Sequence, residues 1–569
     1  MNPIIKAQLS TFRDMNPTER LSDSDLFEVM SIFSIENGVL GENIDPFRAH
    51  LRGEEFGIDG VAISIQGTLC TDADEAAEIL SVGKNHVSEF HFFQSKTSES
   101  MDYGDVSKFL DAVYDFFVSQ EMVLGDQIKS LVEVKDEIYG AAAKVSPTLR
   151  CFYCTTGTGQ VSEVIAKLIN TNKARFDELN IFSKIQIECV GAKVIQNGFR
   201  SATNSTSAKI NFPKAVTMPS HDKVDEAYIG YISASEILEI ALGDADQEGV
   251  RHINRAIFYD NVRDFNPDSD INKSIISELE GGDLDSFVFK NNGITIVSKS
   301  IDRKGDVFTL EDYQIVNGCQ TTNILSHVRD KAELISVPLR LIGCSDSDFV
   351  SSVIIGTNRQ NDVREDQFWA LLPFMKDLEE YCAAQADRIF IERRDNQYRD
   401  VAVERTRILR PSDLMKAAAA MFFFQPHRAA RDHRGIRKEY SDKIFLKDHN
   451  VELYYVAALA IYKFDYLVRS AKVDRSRVIF RFYALYALVR KFWKAPDLLE
   501  ATQKKQKVVR GHVFKIIQDN DKFAEHIEEV ASHLEILIKE SSNNSRERVR
   551  DYIRTETVVE KFTLAMFGK

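Results

Sequence analysis

Apolar positions in the first quarter of the chain change period several times, and each change predicts an element. In DSDLFEVMSIFSIE, residues 23–36, they recur at helical spacing behind an Asp/Ser cap, which predicts an amphipathic helix carrying Glu28. Two strand-like stretches follow, IDGVAISIQG from Ile58 and SEFHFFQSKT from Ser88, separated by an acidic, polar segment. The pattern is a helix followed by a β-hairpin or its expanded equivalent. From Asp105 the run DVSKFLDAVYDFFVSQ returns to a period of 3.6, and helical character persists to about Ala143. A first domain is therefore expected over residues 1–145, ending where SPT breaks the pattern.

A small α/β domain is expected over 146–218, with strands at 149–155 and 184–190 around a helix at 161–169. Residues 219–410 hold the densest set of Asn, Gly and Gln beside apolar strands. From Asp348 the chain reads as mostly helical, and over 411–569 long periodic stretches such as VELYYVAALAIYKFDYLV and VIFRFYALYALVRKFW predict a helical C-terminal domain. The fold class is multidomain α/β with an all-helical end. A length of 569 residues agrees, since a single core does not grow to that size.

Only 12 Pro and 27 Gly in the chain leave little room for disordered tails. The net charge of −14 excludes a protein whose whole surface coats nucleic acid, so any basic stripe must be local. Candidates are residues 393–410, with Arg393 and Arg394, the segment HRAARDHRGIRK from His427, and KKQKVVRGHVFK from Lys504. For each, a solvated helix face is an equally good reading, and the acids alternating with the arginines near 393 also fit internal ion pairs. Seven sparse cysteines exclude a disulfide framework and fit a reducing cytoplasm. Cys151 and Cys154 stand in a strand with no second Cys or His pair near them, so they read as core thiols. No apolar run reaches signal-peptide or membrane-span length, and a cytoplasmic protein without membrane contact is expected. The aromatic stripe of Phe480, Phe482, Tyr483 and Tyr486 reads as core, although a homodimer interface would look the same.

Asp59 opens one predicted strand, and Gln94, Ser95 and Lys96 close another. Phosphodiester hydrolysis needs a divalent cation held beside the phosphate and a positive group that offsets transition-state charge. Acid, polar ligand and lysine supply those parts. Over roughly residues 20–140 this order of helix, GxDG and QxK resembles the PD-(D/E)XK nuclease superfamily, in particular its Mrr-like restriction branch, where Gln often replaces the second acid. The resemblance implies a restriction-endonuclease-like domain in which Asp59 is the principal metal ligand and Gln94 the second. It makes Lys96 the catalytic lysine. Glu28 would complete the metal shell or orient a water in it. Hard oxygen ligands imply Mg²⁺ or Mn²⁺. Glu54 and Glu55 stand as alternative acids.

The central block reads FYDNVRDFNPDSDINKSIISELE, then FVFKNNGITIVSKS, then FTLEDYQIVNGCQTTNILSHV, with VIIGTNRQNDVREDQFW beyond. This order of motifs, over roughly 225–410, resembles the abortive infection phage resistance (AIPR) family. In IVNGCQTTNILSH a strand, a Gly-containing turn and a helix follow one another, and such a helix start presents free N–H groups to an anion. Asn317 and Gly318 permit the turn, and Gln320, Thr321, Thr322, Asn292, Asn358, Arg263 and Arg359 are candidates for a phosphate or nucleotide cradle. A more distant resemblance to ParB and sulfiredoxin-like domains implies a nucleotide phosphate at this turn. The alternative is that these Asn, Gln and Thr side chains satisfy buried backbone groups, with Thr321 as helix cap. Cys319 lacks the His and Arg neighbours that would activate it, so it reads as a buried thiol.

Together these resemblances imply an antiphage defence protein acting as a metal-dependent endonuclease, on DNA before RNA, with the AIPR region sensing a phage-derived trigger or placing substrate. A nucleic-acid or nucleotide-binding sensor with an inactive nuclease fold is the alternative, and a scaffold for other defence factors is a third.

Overall fold

A computed structural model gives the architecture. It describes all residues except 1, 18, 41–43, 53–56, 82–85, 119–125, 142–144, 204–205, 246–250, 255–256, 259–269, 359–371, 394–396, 399–400, 402, 430–432, 542–545 and 569.

The chain opens with α1 (Pro3–Met15), α2 (Asp23–Val39) and the single turn α3 (Pro46–Ala49). Strands β1 (Gly60–Ile65) and β2 (Thr68–Cys70) form a hairpin. Its turn residues Gln66 and Gly67 both have positive φ, 54° and 72°, the hand that matches strand twist. The acidic segment becomes α4 (Ala73–Leu80), started by Asp72, whose carboxylate accepts from the Asp74 and Glu75 N–H groups. Then come β3 (Ser88–Lys96), α5 (Tyr103–Val118), α6 (Asp126–Gly140), β4 (Thr148–Thr155), α7 (Glu163–Asp177), β5 (Lys184–Val190) and α8 (Ala192–Thr203).

All five strands belong to one sheet, ordered β2-β1-β3-β4-β5. β1 is antiparallel to β3, while β3, β4 and β5 are parallel. The break expected at residues 145/146 therefore falls inside a sheet, with Phe93 paired to Phe152 across it. Parallel strands need a long crossover, so the loss of helical period at SPT marks the return to the next strand of the same sheet. Strand β3 is central and apolar on both faces. Phe90 and Phe92 join a core with α5, α6 and α7, and Phe93 joins a core with α1, α2 and α8. Helix α8 lies so close to α2 that a Cβ on Gly198 would stand 2.2 Å from the Ser34 carbonyl oxygen. Between α2 and β3, His91 Nδ1 meets Glu36 Oε1 at 2.7 Å with both side chains wholly buried.

The second sheet is built from β6 (Ser207–Asn211), β7 (Val216–Thr217), β8 (Glu226–Ser233), β11 (Ile294–Lys304), β12 (Val307–Asn317) and β13 (Ser336–Gly343). Among them lie α9 (Ala234–Ala241), the hairpin of β9 (Leu242–Ala245) and β10 (Arg251–Ile253), α10 (Asp270–Glu280), α11 (Phe287–Lys290) and α12 (Cys319–His327). Helix α13 (Ser347–Asn358) follows. The order is β6-β12-β11-β13-β8-β7, with β11 and β13 parallel. Since β6 pairs with β12 and β7 with β8, this sheet begins ahead of the boundary expected at 218/219.

Beyond Leu372 the described chain is helical apart from a short pairing of Phe390–Ile391 with Ile408–Leu409. Helices Pro411–Phe422, Val451–Arg469, Arg481–Arg490 and Asn520–Glu540 share one large apolar core. Phe480, Tyr483 and Tyr486 are buried in it and Phe482 lies partly buried against it, so the aromatic stripe is core. Among the described residues no helix is long and apolar enough to cross a membrane.

None of these apolar cores runs from the N-terminal unit into the helical body. Charges join them instead. Glu19 pairs with Arg469 at 2.9 Å, Glu78 with Lys416 at 3.8 Å and Glu133 with Arg550 at 2.5 Å. Asp74 meets Arg550 at 3.7 Å and Arg554 as well. In each of these pairs the acid belongs to the N-terminal unit and the base to the helical body.

The buried Glu36–His91 pair generates the first test. Replacing His91 with Ala leaves a carboxylate without its partner in a dry core, a loss expected to cost about 3–5 kcal/mol. Hydrogen exchange of the β3 amides measures it, and the double replacement Glu36→Met/His91→Leu is expected to recover most of the loss.

Candidate functional site

Antiparallel pairing of Gly60 with Phe93 sets Asp59, one residue before β1, opposite Gln94 near the end of β3. The Asp59 N–H donates to the Phe93 carbonyl at 2.8 Å. Its carboxylate oxygen Oδ2 accepts from the Ser95 N–H at 2.6 Å and from Gln94 Nε2 at 2.7 Å. Lys96 lies two residues beyond Gln94, and strand alternation places it on the same face. Tyr153 and Thr155 of β4 sit in register with Gln94 and Lys96 and share that face too. The acid and the lysine expected from two separate sequence stretches thus stand on neighbouring strands.

Glu28, on α2, lies near enough for its charge to act on Asp59. Its carboxylate meets His50 Nε2 at 2.9 Å, and only 15% of its side chain is exposed. Burial pushes the Asp59 carboxyl up to about 7, and the negative charge of Glu28 pushes it the same way. The Ser95 N–H, the Lys96 ammonium and the Gln94 amide pull against that rise. The site therefore holds two carboxylates that repel one another in a poorly solvated place, which is where an added cation gains most.

The donor set is oxygen throughout. Gln94 Oε1, the Tyr153 hydroxyl and Thr155 Oγ1 are buried without a hydrogen-bond partner among the described residues. An unpartnered buried amide oxygen beside the Asp59 carboxylate fits a hard divalent ion. Among the described residues no three His, Cys, Asp or Glu side chains group closely enough to hold a metal, so Gln94 would have to serve as a ligand. Glu54 and Glu55, the alternative acids, lie outside the described residues. Cys151 and Cys154 are buried thiols whose pKa values burial raises, as expected of core cysteines.

Sequence reasoning passed over His50 and Tyr153. His50 lies in a stretch without periodicity, and Tyr153 reads as one more apolar position of a strand. Strand register brings Tyr153 to the site, and contacts with Glu28, Gln127 and Gly60 hold His50 near it.

At the central turn the structure departs from the helix cap expected of Thr321. Gly318 begins α12 with φ at 114°, and no side chain caps the helix, so Thr321 is not its cap. The Thr322 hydroxyl donates to the Gly318 carbonyl at 2.9 Å, and Thr321 Oγ1 pairs with the Asn291 amide group at 3.1 Å. Asn317 Nδ2 donates to the Thr357 carbonyl at 3.0 Å, which ties the turn to α13. The cradle hydroxyls are therefore engaged within the chain. Gln320 and Asn292 are exposed, and Asn358 is the last residue of α13. Arg263 and Arg359 lie outside the described residues. Cys319 is buried, as expected.

Arg393 was a candidate for nucleic-acid contact, but its side chain is only 4% exposed. It meets Glu379 at 2.5 Å and Asp348 at 3.5 Å. Its acids hold it inside, the ion-pair alternative that the interleaved charges allowed. Arg394 lies outside the described residues.

A family model described as AIPR protein matches residues 258–546, more than half of the sequence, and the chain belongs to that family. Membership implies a part in abortive-infection phage resistance. The match begins later than the expected 225 and runs past 410 through most of the helical body, which the family pattern therefore includes. No curated protein and no solved structure matches the chain significantly.

Gly318 supplies a test of the turn. A Cβ there would stand 2.6 Å from Ile294 Cγ1, on a backbone that L side chains rarely adopt. Gly318→Ala is expected to destabilise the central sheet by about 2 kcal/mol or more, read by chemical denaturation.

Proposed function

We propose that the chain is an antiphage defence protein whose N-terminal unit is a divalent-metal-dependent endonuclease, acting on DNA before RNA and governed by its AIPR region. The observation that carries this reading is the convergence of Glu28, Asp59, Gln94 and Lys96 at one end of β1 and β3. Asp59, Glu28 and the Gln94 amide oxygen would hold Mg²⁺ or Mn²⁺, which supplies positive charge to polarise the phosphoryl group. Lys96 would offset the charge that gathers on the phosphate oxygens as the ester bond breaks. The Ser95 N–H and Gln94 Nε2 keep Asp59 Oδ2 fixed, which leaves Oδ1 for the ion.

One observation favours a second reading. With Gln94 where a third carboxylate would strengthen the site, cation affinity falls, and a nucleic-acid-binding module with a silent nuclease fold becomes consistent.

Cleavage of plasmid DNA, single-stranded DNA and RNA by the full chain with Mg²⁺ or Mn²⁺ separates the two. Wild type is expected to cut, and Asp59→Ala and Lys96→Ala to lose at least about 100-fold in rate, the scale of removing one electrostatic stabiliser. Retained binding with no cleavage by any of the three would establish the second reading.

A further inference from the structure

We infer that His50 is a positioning residue of this site, holding Glu28 toward Asp59. The inference rests on the nuclease reading and adds to it a group outside the ligand set.

His50 is 2% exposed, and its Nε2 lies 2.9 Å from Glu28 Oε2. Its Nδ1 has no partner among the described residues. With the Glu28 carboxylate as acceptor, Nε2 is the donor of this hydrogen bond. The backbone around the ring is fixed on every side. The His50 N–H donates to the Pro46 carbonyl at 3.2 Å, and the His50 carbonyl accepts from the buried Gln127 amide at 2.8 Å. His50 bridges Gly60, and the Leu51 N–H donates to the Asp59 carbonyl at 2.8 Å. One step further, Arg52 pairs with Glu19 at 3.0 Å and donates to the Arg469 carbonyl of the helical body.

Three consecutive residues thus bind Glu28, Asp59 and the helical body. Glu28 stands in the second turn of α2 with 15% of its side chain exposed. The His50 hydrogen bond holds the Glu28 carboxylate, whose charge acts on Asp59. Partners that orient a ligating carboxylate typically change metal affinity by 10–100-fold when removed.

The test is Mn²⁺ binding to the full chain, by calorimetry and electron paramagnetic resonance, with thermal melting in parallel. Wild type is expected to bind, and Asp59→Ala to bind no Mn²⁺ at this site. His50→Leu, which keeps bulk but cannot donate, is expected to weaken binding about 10–100-fold. His50→Gln can still donate to Glu28 and is expected to stay within a few-fold of wild type. Glu28→Gln, which removes a ligating carboxylate, should weaken binding at least as much as His50→Leu, and joining His50→Leu to it should add little, since His50 acts only through Glu28. If His50→Leu folds poorly, the two glutamine variants carry the test. Wild-type affinity in His50→Leu, or a His50→Gln loss as large as that of Glu28→Gln, overturns the assignment. A wild-type chain that binds no Mn²⁺ overturns the nuclease reading and His50's role with it, and is told apart by the behaviour of the unmutated protein.

Discussion

Burial of β3 on both faces is the constraint on which the N-terminal unit depends. Helices cover either side of the sheet, so a polar side chain on β3 is costly unless a neighbour supplies a partner. His91 receives Glu36 from α2, and Gln94 receives Asp59 from the start of β1. Between them Phe92 and Phe93 need nothing but apolar contact. The candidate site is the place where this dry strand ends and its polar tail begins. Two acids and a lysine can interact strongly there because water is scarce around them.

The helix over 23–36 and both strands of the site were legible in the sequence because each rests on periodicity, a local property. The α2 found, Asp23–Val39, overruns the reading by one turn. Asp59 and Lys96 were legible as residue types at strand ends. Their adjacency required register, which a single sequence does not encode. The same limit explains the break at SPT, where a crossover within one sheet has the composition of a domain linker. Arg393 and Thr321 show a second limit, since a buried arginine and an exposed one are spelled alike. What separates them is whether Glu379, fourteen residues upstream of Arg393, folds back to meet it. For His50 even the element was missing, because the loop bearing it is shaped by Glu28, Gln127 and Asp59 from three different elements.

The family match adds an asymmetry. It takes in Lys416 and Arg469, two of the bases that hold the N-terminal unit, while the unit itself lies outside it. The part of the chain that defines the family thus supplies cationic contacts to a partner that the family pattern does not describe. Arg469 meets both Glu19 and Arg52, and Arg52 stands two residues from His50.

The ionic junction has a consequence in the order of synthesis. Its acids lie between residues 19 and 133, and the N-terminal sheet and its cores are complete by residue 203. The bases lie between 416 and 554 and leave the ribosome much later, after roughly 20–70 s at about 5–20 residues per second. During that interval the acidic face stays hydrated, and the nascent unit carries an excess of negative charge that keeps it apart from other chains of its kind. Joining to the helical body is then a late meeting of two bodies, each with a core of its own. Glu28 and Asp59 are made before the bases that grip Glu19, Asp74, Glu78 and Glu133.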